Sequence, residues 1–307
     1  MLRPLCRCLL LALTLLLSVQ APARADDAAS APLEQRLADR LKEPNLGLKV
    51  ENKAKGAGEG KAKPAAAKAK ADAKMPALPP ASQWAYAGDA SPQRWAELAP
   101  ENRICGTGTR QSPIDIRETI KVDLEKIQFD YRLGSFSVLD NGHTIQVTPA
   151  QGNSLTVMGR RFELTEFHFH RPSEERVNGR SYDMVIHLVH KDADGNQAIV
   201  AVLIERGPDN KPQPAVQLVW NNLPLERNQP AMASVPLDPT QLLPADRAYF
   251  TFMGSMTTPP CSENVLWMVM RNPVQLTANQ IGIFTRLYAM NARPLQSNSG
   301  RLIKESN

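Results

Sequence analysis

The chain has 307 residues and a hydrophobic share of 42%, which is ordinary for a globular core and enough for one large domain or two small ones. Its formal net charge of +5 lies in the first 80 residues, because residues 1–25 and residues 26–80 each carry +3 and the rest of the chain carries −1. A nearly neutral body excludes the basic surface that nucleic-acid binding needs, so we predict no nucleic-acid partner.

Residues 1–25 have the pattern of a secretory signal peptide. Arg3 and Arg7 make a positive start, residues 9–19 are an apolar run, and a small-x-small cleavage pattern ends at Ala25. The apolar run is shorter than a membrane-spanning helix needs, although an uncleaved anchor is the alternative. We therefore predict a periplasmic or secreted protein with no stable membrane span after cleavage.

Residues 26–80 are an extension and linker rich in Ala, Lys and Pro, with little that a core could bury. Leucines recur every four residues in a possible short helix at 32–43. Such a helix could dock a partner or a second copy of the chain, which would make a homodimer. The alternative is a solvated, half-formed helix.

The body of the chain, residues 81–307, is predicted to be one domain. Short runs of Val, Ile, Phe and Leu alternate with polar residues and are separated by Gly, Pro and Asn, which is typical of β-strands. Residues 276–289 are the best candidate for a helix. We predict a mostly β (α+β) fold around a large, mainly antiparallel, twisted sheet with few short helices.

Two cysteines remain after the predicted cleavage, because Cys6 and Cys8 would leave with the signal. Cys105 and Cys261 are 156 residues apart, and one pair of cysteines in an exported chain indicates a disulfide. Closing so long a loop would stabilise the fold by roughly 4 to 5 kcal/mol through the entropy of the unfolded chain. Two free thiols are the alternative.

Four of the five histidines lie between residues 166 and 192. Side chains alternate between the faces of a β-strand, so His168 and His170 would point to one side, with phenylalanines on the other. A turn signal at 177–179 favours an antiparallel return of the chain. The returning strand would bring His187 beside the first pair.

Three neutral imidazoles suit zinc with a fourth position left open to water, and no cysteine lies near them in the sequence to close the site. A bound zinc ion lowers the pKa of its water, so that hydroxide forms near neutral pH. We therefore predict a catalytic Zn²⁺ site on the central strands of the sheet. The alternative is that the His-x-His pair occurs by chance on a half-buried strand.

Six motifs follow one another along the body: WAYAG (84–88), RQSPIDI (110–116), DNGHTIQV (140–147), FHFHRPSEE followed by IHLVH, GSMTTPPCSENVLW (254–267) and NARPLQ (291–296). Together, from about Trp84 to Ile303, they resemble the alpha-class carbonic anhydrases of the exported bacterial type. The resemblance implies reversible hydration of carbon dioxide to bicarbonate and a proton, a lyase reaction. A zinc-bound hydroxide would attack, and a histidine would transfer the proton.

The resemblance assigns the centre of the site. His168, His170 and His187 would hold the zinc. Thr257 would accept a hydrogen bond from the zinc-bound hydroxide, and Glu174 would accept one from Thr257. This relay would orient the nucleophile toward the carbon of the substrate.

The resemblance also assigns proton transfer. His143 would be the shuttle, because a group that titrates near neutral pH is needed at the mouth of the pocket. Tyr86, Asn141 and Gln146 would order the water chain between the metal and the shuttle. The alternative for His143 is a surface histidine in a turn.

For the substrate, the resemblance implies a contact with the amide of Thr257, with Thr258 beside it, and an apolar wall that receives carbon dioxide. The wall residues would be Val189, Ile199, Met256 and Trp267, for which ordinary core packing is the alternative. A Cys105–Cys261 bridge would steady the backbone around Thr257, and His190 would be a buried structural histidine.

Two positions depart from the family's pattern. Val185 stands where the family usually has a glutamate that orients the ring of His187, and Glu175 stands where a histidine is common. Glu166 could support His168 in the same way. Loss of such an acceptor costs ~10- to 100-fold in metal affinity or activity, so we predict a competent but slower enzyme. The rival interpretations are a non-catalytic zinc-binding or interaction module on the same fold, and a zinc hydrolase of esters.

Overall fold

The computed structural model describes residues 84–307. The predicted signal peptide at 1–25 and the extension at 26–80, with its possible helix at 32–43, lie outside the described residues. Within residues 84–307, no helix is long and apolar enough to cross a membrane.

The described part of the chain contains fifteen β-strands. They are β1 (Asp115–Ile116), β2 (Ile120–Val122), β3 (Gln128–Asp130), β4 (Phe136–Asp140), β5 (Ile145–Pro149), β6 (Ser154–Val157), β7 (Arg160–His170), β8 (Arg176–Val177), β9 (Met184–Lys191), β10 (Gln197–Arg206), β11 (Ala231–Met232), β12 (Tyr249–Ser255), β13 (Glu263–Met270), β14 (Val274–Leu276) and β15 (Lys304–Ser306).

The helices of the described residues are few and short. The α-helices are Trp95–Leu98, Ile104–Thr107, Pro214–Asn221 and Ala278–Leu287, and the 3-10 helices are Gly88–Ala90, Pro100–Arg103 and Pro239–Leu242. The helix predicted at 276–289 is confirmed as Ala278–Leu287. It begins at a capping box, in which the side chains of Thr277 and Gln280 each accept from the other's backbone N–H.

Thirteen strands form one large mixed sheet in the order β11-β4-β5-β7-β9-β10-β13-β12-β15-β2, with β3, β6 and β14 attached beside this path. Most neighbours are antiparallel, whereas β10 pairs in parallel with β13 and β14, and β15 pairs in parallel with β2. Strands β1 and β8 form a separate parallel pair. The predicted fold, one mostly β domain around a large twisted sheet with few short helices, is confirmed.

Strands β7 and β9 are antiparallel neighbours, and His168 lies directly opposite His187. The turn signal between them forms a tight turn after β8, where Val177 and Arg180 exchange backbone hydrogen bonds. The two central residues of this turn, Asn178 and Gly179, both have positive φ, which favours Asn and Gly at these positions. The antiparallel return predicted from the sequence is therefore confirmed.

The two faces of β7 have different neighbours, as the alternation of its residues predicts. Phe167 and Phe169 are fully buried, and the ring of Phe169 lies 4.8 Å from that of Trp220 and 6.0 Å from that of Phe284. These two partners come from the helices Pro214–Asn221 and Ala278–Leu287, which therefore pack on this side of the sheet. The opposite face of the strand is left for the histidines.

His190 at the end of β9 is buried, with its Nε2 atom 2.7 Å from the hydroxyl oxygen of Tyr131. The two rings stack at 6.0 Å between centroids. Burial lowers the pKa of His190 to about 3. This histidine is a neutral group within the packing of the sheet, in line with the structural role expected for it.

We expect His190 to contribute to acid sensitivity. Between pH 6.5 and about 3 the unfolded chain binds a proton that the native chain does not, so the free energy of unfolding falls as the pH is lowered. His190→Gln should reduce this slope by up to ~1.4 kcal/mol per pH unit. Urea unfolding at several pH values, with the disulfide intact, measures the slope. An unchanged slope would show that His190 takes up no proton on unfolding.

Candidate metal centre and active site

His168, His170 and His187 come together at the centre of the sheet. The first two project from β7, the third projects from β9, and each offers a ring nitrogen within 4.8 Å of the others. His170 and His187 are buried, and His168 is the most accessible of the three, with 12% of its side chain exposed. The structure thus gathers the three residues predicted to be metal ligands.

Two of these imidazoles are oriented by acceptors on the nitrogen that faces away from the cluster. The Nδ1 atom of His168 lies 3.0 Å from each carboxylate oxygen of Glu166. The Nδ1 atom of His170 lies 2.7 Å from the backbone carbonyl oxygen of Asn291. Both rings are therefore held so that Nε2 faces the cluster, and the support expected from Glu166 is present.

The third imidazole also has an acceptor, and here one prediction from the sequence is wrong. The sequence predicts that His187 lacks a partner, because Val185 cannot accept a hydrogen bond. In the structure the Nε2 atom of His187 lies 3.2 Å from Oε2 of Glu175, a fully buried carboxylate. The acceptor is supplied by a residue twelve positions earlier in the chain, which a search of the ligand's own strand does not find.

The ring nitrogens that face the cluster are arranged as the ligands of a metal ion would be. The Nε2 atom of His170 and the Nδ1 atom of His187 are buried and have no hydrogen-bond partner. Buried polar atoms are normally paired, so two unpaired nitrogens that converge with the third imidazole fit a cation. Neutral imidazole nitrogens are ligands that zinc prefers. Glu174, Glu175 and His187 also lie close together, but Glu175 faces the opposite side of the shared ring.

Electrostatics keep the inner two histidines neutral, which is the form that binds a metal. Burial lowers the pKa of His170 and His187 well below the ordinary value of 6.5. Burial also lowers the pKa of His168, but the carboxylates around it, Glu166 first, outweigh this and leave the pKa raised. The centre therefore combines buried neutral rings with nearby negative charge, a setting that favours a divalent cation.

Glu174 lies beside the histidines, and its Oε2 atom is 3.6 Å from Nε2 of His170. Its other oxygen, Oε1, accepts a hydrogen bond of 2.7 Å from the backbone N–H of Arg293. Burial and then the carboxylate of Glu175 raise the pKa of Glu174, whereas the Arg293 N–H and the Thr257 side chain lower it. A nearby cation would also favour the charged form.

Thr257 belongs to a loop, residues 256–262, that we call the Thr257 loop. Both ends of this loop are fixed: the N–H of Met256 donates to the Ser262 carbonyl, and the N–H of Cys261 donates to the Thr258 carbonyl, at 2.9 and 2.8 Å. Thr257 itself is buried. These contacts constrain the backbone around Thr257, whose side chain is one of the groups that lower the pKa of Glu174.

The disulfide predicted between Cys105 and Cys261 is formed, with 5.1 Å between the two Cα atoms. It joins the Thr257 loop to the helix Ile104–Thr107, which precedes the RQSPIDI motif. The Gln111 side chain of that motif donates to the Cys261 carbonyl at 3.1 Å. The bridge thus reaches the loop that carries Thr257, where the resemblance implies that it steadies the backbone.

An apolar wall lies beside the third histidine. Val189, Ile199 and Trp267 are buried in one cluster, and Met256 packs against it. In the sheet, Val189 is opposite Ile199 and Ile199 is opposite Trp267, so the three residues cross adjacent strands. The Trp267 ring lies 5.0 Å from that of His187, edge to face. The structure therefore brings the predicted wall residues together next to the three clustered histidines.

His143 lies in the connection between β4 and β5, and its ring stacks on Trp84 with 3.8 Å between centroids and 10° between planes. Burial, and then the positive charge of Arg227, lower its pKa from the ordinary 6.5. The sequence motif WAYAG includes Trp84, but nothing in the motif predicts this stacking. The aromatic partner is a contact that only the fold reveals.

The residues predicted to order water lie around the same region. The Asn141 side chain donates to Gln146 Oε1 at 3.2 Å and accepts from the His143 N–H at 3.0 Å. Gln146 lies opposite His168 in the pairing of β5 with β7. Burial and then Glu174 raise the pKa of Tyr86, which keeps its hydroxyl protonated. These polar side chains extend from the three clustered histidines toward His143.

The NARPLQ motif supplies two residues whose roles the sequence did not predict. The Arg293 guanidinium is buried and donates to the carbonyls of Cys105 and Ser112 at 2.9 and 2.7 Å, which ties the disulfide helix to the site. The Asn291 side chain donates to the carbonyl of His143 at 3.0 Å. One short segment therefore supports a ligand, the carboxylate of Glu174 and the predicted shuttle.

The comparisons with known proteins agree with this geometry. The model of the eukaryotic-type carbonic anhydrase family matches residues 90–307. A carbonic anhydrase of Klebsiella pneumoniae is 39% identical over 234 residues, which cover 75% of this chain and 94% of that protein. The chain belongs to the eukaryotic-type, or alpha, carbonic anhydrase family, whose enzymes are zinc-dependent lyases, and the resemblance stated from the motifs is confirmed.

Solved structures give the same result. A hyperthermostable carbonic anhydrase from an active hydrothermal vent chimney is 40% identical, with a TM-score of 0.71 over 73% of this chain and 100% of that chain. The alpha-carbonic anhydrase of Thermovibrio ammonificans, in complex with the inhibitor sulfanilamide, is 38% identical, with a TM-score of 0.70 over 72% of this chain and 98% of that chain.

We expect one zinc ion per chain, held by the three clustered histidines. Replacing His170 or His187 by alanine should weaken zinc binding by at least the ~10- to 100-fold that loss of a supporting contact costs. His143→Ala is the matched control, because this histidine lies outside the cluster and should leave zinc binding unchanged. Elemental analysis and chelator competition measure the binding. Equal loss of zinc in the control would show that the cluster is not the site.

Proposed function

We propose that this site catalyses the reversible hydration of carbon dioxide to bicarbonate and a proton. The observation that carries the proposal is the convergence of three imidazole nitrogens, from His168, His170 and His187, beside an apolar wall and the pair Glu174–Thr257. Membership of the alpha carbonic anhydrase family supports the same reaction.

The three histidines would hold a zinc ion, which when bound supplies a Lewis acid that makes water nucleophilic near neutral pH. The protein's own task is to orient that water. Thr257 would donate a hydrogen bond from its hydroxyl to Glu174, which would leave its oxygen to accept a hydrogen bond from the water. Since Arg293 occupies Oε1 of Glu174, the other carboxylate oxygen is left for Thr257. The water is then fixed with a lone pair toward the substrate carbon.

The apolar wall gives carbon dioxide a place to bind. Carbon dioxide has no net dipole, so it can bind to the apolar surface of Val189, Ile199, Met256 and Trp267. Water is held only weakly at such a surface and is easily displaced. The backbone N–H of Thr257, with Thr258 beside it, would meet a substrate oxygen. Placing the reactants side by side in this way lowers the entropic part of the barrier.

His143 would carry the proton from the site to solvent. Its lowered pKa means that it releases a proton readily near neutral pH, and its stacking on Trp84 places it in a defined position. Asn141, Gln146 and Tyr86 would order the waters that link it to the centre. In the hydration direction the neutral ring accepts the proton and passes it to buffer.

Export through the signal peptide at 1–25 would place the enzyme in the periplasm or outside the cell. The Cys105–Cys261 disulfide supports an oxidising compartment, because such bonds are rare where thiols are kept reduced. We propose further that residues 26–80 are an extension that could bring two copies of the chain together as a homodimer. Comparing the mass of the full chain with that of a chain lacking 26–80 tests this role.

The non-catalytic alternative is less well supported. A module that only binds zinc needs the three histidines but has no use for an oriented hydroxyl or a proton shuttle. Thr257, Glu174 and His143 are all retained in addition to the ligands. The proposal therefore favours catalysis over binding alone.

The zinc-loaded protein should hydrate carbon dioxide, and a sulfonamide should inhibit it. Thr257→Ala should lower kcat/KM by about 100-fold, the scale of loss when a reacting group is misplaced. Thr148→Ala, at an exposed threonine of β5, is the matched control and should keep full activity. Stopped-flow hydration with a pH indicator measures the rates. Zinc-loaded protein without sulfonamide-sensitive hydration would favour the binding module.

The shuttle prediction separates proton transfer from chemistry. His143→Ala should lower kcat at low buffer concentration by roughly 100-fold, the lower end of what a positioned proton-transfer group contributes, and leave kcat/KM nearly unchanged. In the unmodified enzyme, kcat should be half-maximal below pH 6.5, because the shuttle must be neutral to accept a proton and its pKa is lowered. Added imidazole should restore the variant. An equal fall in kcat and kcat/KM would contradict the role.

A further inference from the structure

Val185 shares a face of β9 with His187, but it belongs to the apolar core. It is fully buried in the same cluster as Val189 and Trp267. In the sheet it lies opposite His170 on β7 and Leu203 on β10. A valine here fills apolar space and leaves the ring of the third histidine without a partner from its own strand.

Glu175 reaches that ring from the segment between β7 and β9. Its backbone is fixed at two points: the Ser173 hydroxyl donates to its carbonyl at 2.9 Å, and the next N–H, from Arg176, donates to the Ile114 carbonyl at 3.2 Å. The side chain is fully buried, with Oε2 3.2 Å from Nε2 of His187. The carboxylate is therefore built into the fold.

This contact decides which nitrogen of His187 is available to a metal. A ring that donates Nε2–H to a carboxylate has its lone pair on Nδ1, and Nδ1 is the atom that is buried without a hydrogen-bond partner beside the other two ligands. With Glu166 on His168 and the Asn291 carbonyl on His170, every ligand of the cluster has its own acceptor.

We propose that Glu175 is the positioning residue for the third metal ligand, because it fixes the orientation of His187 from a separate segment of the chain. Val185, on the same strand as His187, then only fills apolar space. This inference deepens the proposed function, since it rests on His187 being a ligand. It also removes the reason to expect a slower enzyme, because all three imidazoles are supported.

Zinc affinity tests the proposal without reference to catalysis. Glu175→Leu keeps a similar volume but cannot accept a hydrogen bond, and it should raise the zinc dissociation constant ~10- to 100-fold in chelator competition. Glu175→Gln keeps an oxygen acceptor and should lie between this variant and the parent. Glu163→Gln, at an exposed carboxylate of β7, is the matched control and should bind zinc as the parent does.

Cobalt substitution reports orientation directly. With Co²⁺ in place of zinc, the visible absorption spectrum of Glu175→Leu should differ from that of the parent, and the Glu163→Gln spectrum should not. A merely structural role would lower the melting temperature without changing the spectrum of the loaded protein. Equal zinc affinity and identical Co²⁺ spectra for Glu175→Leu and the parent would overturn the proposal.

Val185→Glu gives the opposite test. If Glu175 already accepts the hydrogen bond from His187, a second carboxylate at position 185 adds buried negative charge without a new hydrogen bond. Zinc affinity should therefore not increase. A tenfold tighter zinc complex in Val185→Glu would show that the ring lacked an acceptor and would refute the inference. If instead the parent binds zinc at the histidines but does not hydrate carbon dioxide, the proposed function fails while the zinc comparison stands.

Discussion

The site depends on one constraint: three neutral imidazoles must present their lone pairs to the same point inside a protein. Each ring can do so only if its other nitrogen, which carries the proton, has an acceptor. The fold supplies three acceptors of separate origin: a carboxylate on the same strand for His168, a backbone carbonyl for His170, and a carboxylate from another segment for His187. Without them the buried rings would be free to turn away.

The sheet meets this constraint through the register between its strands and through the face on which each side chain lies. Antiparallel pairing of β7 with β9 sets His168 opposite His187, and the period of two in a strand keeps the histidines on one face. The other face carries phenylalanines that pack under the two longest helices of the described residues. Packing on one side therefore leaves the other side available for chemistry, with the apolar wall continuing onto β10 and β13.

Segments distant in sequence then complete the site. The buried guanidinium of Arg293 and the Cys105–Cys261 disulfide connect the N-terminal helices, the Thr257 loop and the 291–296 motif around one centre. Trp84, from the first described residues, stacks on His143. Each of these contacts spans tens to hundreds of residues along the chain, so the site exists only when the whole domain has folded.

Much of this protein follows from its sequence alone, because local pattern carries it. Alternation placed the three histidines on shared faces, the turn signal at 177–179 predicted the antiparallel return, and the ordered motifs identified the family. The partners of those histidines could not be predicted in the same way. Val185 suggested a missing acceptor, whereas the structure supplies Glu175, because hydrogen bonds between side chains depend on distance in space. Strand periodicity is a local property of the sequence, but the acceptor on each ring is decided by tertiary structure.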